Sequence, residues 1–299
     1  MTAHRCSRST RVIWVCYGLA LILLWPGHKI SSCAGADKPM NQSFVVSESD
    51  SKQRRLSVFY RGGTEIFKRP ISKEAAKKLW DQYFQAANIL TDAWEIENKA
   101  SSKHELKKAL SKAQQALKVF RSLGSDGMQG LALSDMGRVY EELGEYQKAL
   151  EHYTEAVGLH GKAANLWDEG SDCAGIGRVY SRLDQHQKSM QAYEKALEIH
   201  RKIGDLVGEA ADLGGMGGAY WGLGQHHKAL DYFDKALATN RKAGYAEGEW
   251  RTLELMGQAY GKMGQDAKAK EYLAKAQDIK RGLKEGQKRG VPQNSSGGR

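Results

Sequence analysis

Chemistry in this chain would have to come from a few polar columns. His186 and His226 lie 40 residues apart, with His227 beside the second, and His160 and His200 repeat the same interval. Imidazoles recurring at one interval could bridge a metal ion between stacked units. Duplication alone produces the same recurrence. These residues are therefore read as exposed histidines at turns and helix ends, and no metal is expected. No HExxH, GxxxxGK[ST], G-x-S-x-G or GxGxxG signature occurs. The run Gly214-Gly215-Met216-Gly217-Gly218 falls inside a helical pattern with no strand before it, so it is no phosphate loop. Since no acid, base and nucleophile gather, the chain reads as a non-enzyme without a cofactor. Cys33 closes Ile30-Ser31-Ser32-Cys33, which has the form of a bacterial lipidation box and would tether the protein to a membrane.

The segment around Cys33 reads as an export signal. Arg5, Arg8 and Arg11 precede Val12–Trp25 (VIWVCYGLALILLW), which is apolar throughout. That run is shorter than the roughly 20 residues a helix needs to span a bilayer, but suits the core of a signal peptide. Ala34-Gly35-Ala36 offers cleavage before Asp37, so residues 1–36 are assigned to a signal peptide. Lipidation at Cys33 and an uncleaved anchor are the alternatives. Cys6, Cys16 and Cys33 all fall in this region, which leaves Cys173 in the body and no disulfide framework. The expected location is periplasmic or secreted.

The formal net charge of +10 is concentrated at the two ends. Residues 1–36 hold basic side chains and no acids, residues 280–299 hold six basic side chains against Glu285, and the body between is close to neutral. A nucleic-acid binder concentrates positive charge on its folded surface, so no nucleic-acid partner is expected.

The body repeats with a period of 40. Gly137, Gly177, Gly217 and Gly257 form one column, Tyr140, Tyr180, Tyr220 and Tyr260 another, and Ala156, Ala196, Ala236 and Ala276 a third. Leu133, Met136, Tyr140 and Leu143 step by three and four residues, which is one face of a helix. Gly144, Asp184, Gly224 and Gly264 mark a turn, and Ala149, Tyr153, Ala156 and Leu159 begin a second helical face. No proline occurs between Ile71 and Val291, as a helical body requires. One such hairpin cannot bury its apolar face, whereas stacked hairpins share a continuous core.

Met136-Gly137-x-x-Tyr140, followed by Gly144, Ala149, Tyr153 and Ala156, resembles the tetratricopeptide repeat. The period of 40 and the Arg201-Lys202-Ile203-Gly204 and Arg241-Lys242-Ala243-Gly244 junctions are similar to the longer repeats of kinesin light chains and cell-polarity adaptors. The resemblance implies an all-α fold, an α-solenoid of stacked helical hairpins in a right-handed superhelix. Units are placed at about 127–162, 167–202, 207–242 and 247–282, after a degenerate unit at about 73–122. A polar linker is expected at 37–70, in which 56–68 either forms a short hairpin or stays irregular, and a disordered basic tail at 286–299.

In that family the first helices line a concave groove that holds a peptide or a partner helix. The positions this implies as partner-binding are Arg138, Glu141, Arg178, Arg182, Gly214, Gly218, Trp221, Gln258 and Lys262, with Ser134, Glu142, Gly222 and Glu254 in the same stripes. Gly214, Gly218 and Gly222 would leave bare backbone beside Trp221, and the Arg178–Arg182 pair would hold carboxylates. The set lacks the Lys/Asn clamp of chaperone co-factors. The function so implied is an exported protein–protein interaction scaffold. The alternatives are a lipid-anchored assembly factor for a pilus or outer-membrane complex and a cytosolic peptide-sensing regulator.

Overall fold

The computed structural model describes residues 12–16, 43–48, 54–60, 63–67 and 73–288. Side chains are described within 78–285. The cleavage and lipidation motifs, including Cys33, and residues 289–299 lie outside the described residues.

The body is helical, as the column pattern predicts. Its helices are α1 (Lys73–Lys99), α2 (Lys103–Leu123), α3 (Asp126–Leu143), α4 (Tyr146–Lys162), α5 (Leu166–Arg182), α6 (His186–Ile203), α7 (Leu206–Gly222), α8 (His226–Ala243), α9 (Ala246–Lys262) and α10 (Asp266–Lys288). Neighbouring helices pack on one another in sequence order from α1 to α3 and from α6 to α10. Ser102 and Glu105 close a capping box at the start of α2, satisfying two backbone donors that the helix cannot. The last helix overruns its expected end: α10 continues through residues 286–288, which were assigned to the tail.

Four short strands precede the helices: β1 (Val12–Cys16), β2 (Ser43–Glu48), β3 (Arg54–Tyr60) and β4 (Gly63–Phe67). They pair antiparallel in sequence order, with Val12 opposite Ser47, Ser43 opposite Phe59 and Tyr60 opposite Gly63. The β3–β4 pair falls on the segment 56–68 that the sequence leaves open between a hairpin and an irregular linker. Residues 37–70 are therefore more than a polar linker. Phe44-Val45-Val46 supplies β-forming residues that add a strand to that hairpin, and the start of the apolar run at Val12 adds another.

By contact the chain divides into two units. The first comprises residues 1–143 and 155–168, the second 144–154 and 169–299. In the first, Leu106, Ala109 and Val139 centre a core flanked by Ile96, Leu110 and Leu143. In the second, Tyr193, Leu197, Leu213 and Met216 form one cluster, and Leu230, Phe233, Leu237, Leu253 and Met256 another.

The glycine column has one environment wherever it is described. A Cβ on Gly177 would meet the Tyr193 ring at 2.9 Å, one on Gly217 the Phe233 ring at 2.6 Å, and one on Gly257 the Leu273 side chain at 2.8 Å. The gap left by each glycine is thus filled by the second helix of the same hairpin. The alanine column is buried in every unit. The tyrosine column is not wholly core: Tyr140 is buried, while Tyr180, Tyr220 and Tyr260 are half-buried. At that edge Tyr220 packs on Tyr232 and Tyr260 stacks on Tyr272, and Lys188, Lys228 and Lys268 lie over the column's rings.

Gly217→Leu is expected to destabilise the fold by about 1–3 kcal/mol. Phe233 occupies the space a side chain needs, and the Ala229 carbonyl at 3.2 Å is backbone that cannot rotate away. An unchanged melting temperature would show that this column is not packed.

Two backbone columns set the turns. The helix-pair junctions carry positive φ at Gly124, Ala164, Gly204 and Gly244, and the turns inside the pairs carry it at Gly144, Asp184, Gly224 and Gly264. Glycine tolerates this conformation at little cost; Ala164 and Asp184 hold it with a Cβ.

Candidate functional site: a face of first helices

Within the second unit, α5, α7 and α9 carry the expected groove positions. Arg178 and Arg182 are exposed on α5, and Gln258 and Lys262 on α9. Arg178 donates to the Tyr153 hydroxyl at 3.3 Å. Trp221 of α7 is half-buried, packs on the His226 ring at 4.1 Å between centroids, and has Lys262 Nζ 5.9 Å from its own centroid. The structure thus brings Trp221 and Lys262 together, with His226 as an unforeseen third member.

The glycine stripe on α7 is open at two of its three positions. A Cβ on Gly214 or Gly218 would meet nothing within 4 Å. Gly222 is not bare backbone: the His186 imidazole fills the position its side chain would take. Open backbone beside an aromatic ring and basic side chains can receive an extended chain closely and hold its carboxylates.

Other expected groove residues are engaged within the fold. Arg138 of α3 donates from Nε and Nη2 to both carboxylate oxygens of Glu97, the second at 2.8 Å, and from Nη2 to Asp135 at 2.6 Å. It neutralises Glu97 and Asp135 within the first unit, while its own side chain stays 36% exposed. Burial pushes the Asp135 carboxyl up to about 6, Arg138 opposing it and the Glu97 charge adding to it. Glu254 is held by Lys280, whose ammonium also lies 3.7 Å from the Trp250 centroid. Ser134 donates to the Gly130 carbonyl. Glu141 is half-buried on α3.

The histidines do not share one environment. His160 and His200 are buried, 0% and 3% exposed, so the reading of exposed helix-end side chains fails for them. His200 Nδ1 lies 2.6 Å from Asp212 Oδ2. In the next unit the same two columns hold Asn240 and Thr252, with the amide donating to the hydroxyl at 3.2 Å. The signal was present in the sequence as pairs twelve residues apart: His200 with Asp212, and Asn240 with Thr252. In both, a polar side chain meets a complementary polar group. Among the described residues no three His, Cys, Asp or Glu side chains converge as metal ligands. Cys173 is a buried free thiol, pushed up to about 11 mainly by burial and then by the Asp172 charge, which opposes thiolate chemistry.

Comparisons with known proteins agree with this architecture. The Tetratricopeptide repeat family matches residues 98–160, 172–242 and 210–282. Among solved structures, a kinesin light chain-type protein of nearly identical TPR-like repeats from Podosopora anserina is 18% identical. It covers 70% of this chain and 97% of its own, with a TM-score of 0.51. Aspartyl phosphate phosphatase F from Bacillus subtilis is 15% identical, covers 71% of this chain and 54% of its own, and has a TM-score of 0.59. A Rap protein complexed with competence and sporulation factor is 14% identical, covers 69% and 58%, and has a TM-score of 0.55. These likenesses concern the fold. A comparison with curated proteins found no match. With the family matching more than half of the sequence, and with glycines packed under second-helix side chains in successive hairpins, the chain belongs to the tetratricopeptide repeat family.

Proposed function

We propose that this protein is a non-enzymatic interaction scaffold that holds an extended peptide or a partner helix along α5, α7 and α9. The carrying observation is the open backbone at Gly214 and Gly218 on the helix that bears Trp221. Among the groove positions Arg178, Arg182 and Lys262 are exposed and basic, and Glu254 is neutralised by Lys280. The partner segment is accordingly acidic, with carboxylates for the arginines and an apolar side chain for Trp221.

The test is affinity capture from the native host with the full chain. Arg178→Glu together with Arg182→Glu is expected to remove most of the captured partner while the helical circular dichroism stays unchanged. Gly214→Leu with Gly218→Leu is expected to do the same by filling the face, again with the fold retained. Undiminished recovery by both variants would reject this site.

From the export motifs we propose a location in the cell envelope or outside the cell, with a lipid on Cys33 as the anchored form. No described helix is long and apolar enough to cross a membrane. One observation favours a second location. Val12–Cys16 pairs with β2, and cleavage before Asp37 would remove that strand. A chain that keeps β1 fits a cytosolic peptide-sensing regulator, a reading in line with the fold it shares with the Rap complex. Mass spectrometry of the mature N-terminus separates the three: a start at Asp37, a lipidated Cys33, or an intact leader.

A further inference from the structure

His200 is clamped where two repeats meet. Its ring stands at the C-terminal end of α6, 2.8 Å from the position of a Cβ on Gly170 of α5 and 2.7 Å from that on Gly208 of α7. Neither neighbour carries a side chain, and the imidazole fills both spaces. Its Nδ1 meets Asp212 of α7, a carboxylate that is 0% exposed. The other oxygen of that carboxylate, Oδ1, is buried with no hydrogen-bond partner in the structure. The groups facing the pair are Asp205 from the α6–α7 turn and, from α5, Arg178 and the Cys173 thiol.

A buried acid–base pair of this kind is an expensive way to join two helices, because its charges are removed from water. The following unit makes the equivalent contact with Asn240 and Thr252, which do not titrate. We infer that the His200–Asp212 pair makes the α6–α7 junction a proton-linked contact, tight in acid and progressively looser as pH rises past neutrality. This inference stands whether or not the peptide-binding face is used.

The direction follows from the surroundings. Burial by itself would lower the His200 pKa, but the hydrogen bond to Asp212, its charge and that of Asp205 outweigh burial and raise it above the usual 6.5. Burial raises the Asp212 carboxyl to about 6, with the bond to and charge of His200 opposing. Both groups therefore hold protons more tightly in the closed junction than in an opened one. Closure is favoured below these raised values. The advantage declines as pH climbs from the ordinary carboxylate range through 6, and further as it passes the raised His200 value.

Hydrogen exchange of the full chain tests this at the level of single amides. After correction for intrinsic rates, the opening constant of amides at the α6–α7 contact is expected to rise between pH 6 and pH 8. The ceiling is about tenfold per pH unit, the slope set by one proton. His200→Asn with Asp212→Thr copies the neighbouring junction and is expected to flatten that dependence to within about twofold. His160 and Asp172, buried in the same two columns, are distinguished because the readout is local. A flat or falling profile in the wild type, or an unchanged slope in the double variant, would overturn the inference. A second measurement needs no variant: imidazole NMR should find His200 titrating above 6.5, and a value at or below that also overturns it.

Discussion

Phe233→Ala is expected to destabilise the second unit by about 3–5 kcal/mol, read as a shift in the urea or thermal midpoint. Phe233 is 3% exposed and packs in the cluster of Leu230, Leu253 and Met256. Its ring also covers the backbone of Gly217. Truncation leaves a void that the helices cannot close, because α7 and α8 already approach until a Cβ on Gly217 would stand 3.2 Å from the Ala229 carbonyl. The same geometry predicts coupling. Gly217→Leu alone overpacks the contact, whereas in the Phe233→Ala background it has a cavity to fill. The double variant should be at least about 1 kcal/mol more stable than the sum of the single changes implies. Strict additivity would show that ring and glycine are not partners.

Arg138→Leu carries the second large effect, also about 3–5 kcal/mol, now in the first unit. Glu97 is 5% exposed and takes two charge-assisted hydrogen bonds from Arg138, and Asp135 takes a third. Without the guanidinium, two acids remain buried between α1 and α3 with no countercharge. The loss should depend on pH in a defined sense. Asp135 is already held near 6 by burial, and removing Arg138 takes away a group that lowers it. The folded variant then binds a proton that the unfolded chain releases, so it is weakest at pH 8 and recovers as pH falls toward 5. Adding Glu97→Gln should restore part of the loss. A variant as stable as the wild type at pH 8, impaired only in partner capture, would return Arg138 to the binding face.

The repeat was legible because each structural demand is written several times. Gly177, Gly217 and Gly257 each meet a second-helix side chain, and that threefold record makes the period and the hairpins visible from residue types alone. The candidate binding face was legible only in part. Helical phase assigns a side chain to a stripe, but it does not show what neighbouring elements do there. Arg138 is taken by Glu97, Glu254 by Lys280, and Gly222 is covered by His186. The buried histidines were misread because a lone imidazole looks polar, and the complement of His200 lies in the next hairpin, where a single column does not reveal it. Strand β2 was missed for a related reason: three apolar residues among serines gain their meaning from the strands on either side.

The paired columns that join one hairpin to the next also write the order of the units into the sequence. Excising residues 167–206 would bring the column of His160 onto Asp212 and preserve a matched imidazole and carboxylate. Excising residues 127–166, a segment of equal length, would set Phe120 opposite Asp172 and force a carboxylate against a phenyl ring. The array can therefore be shortened by recombination at some seams and not at others, although each junction turn carries a positive-φ residue.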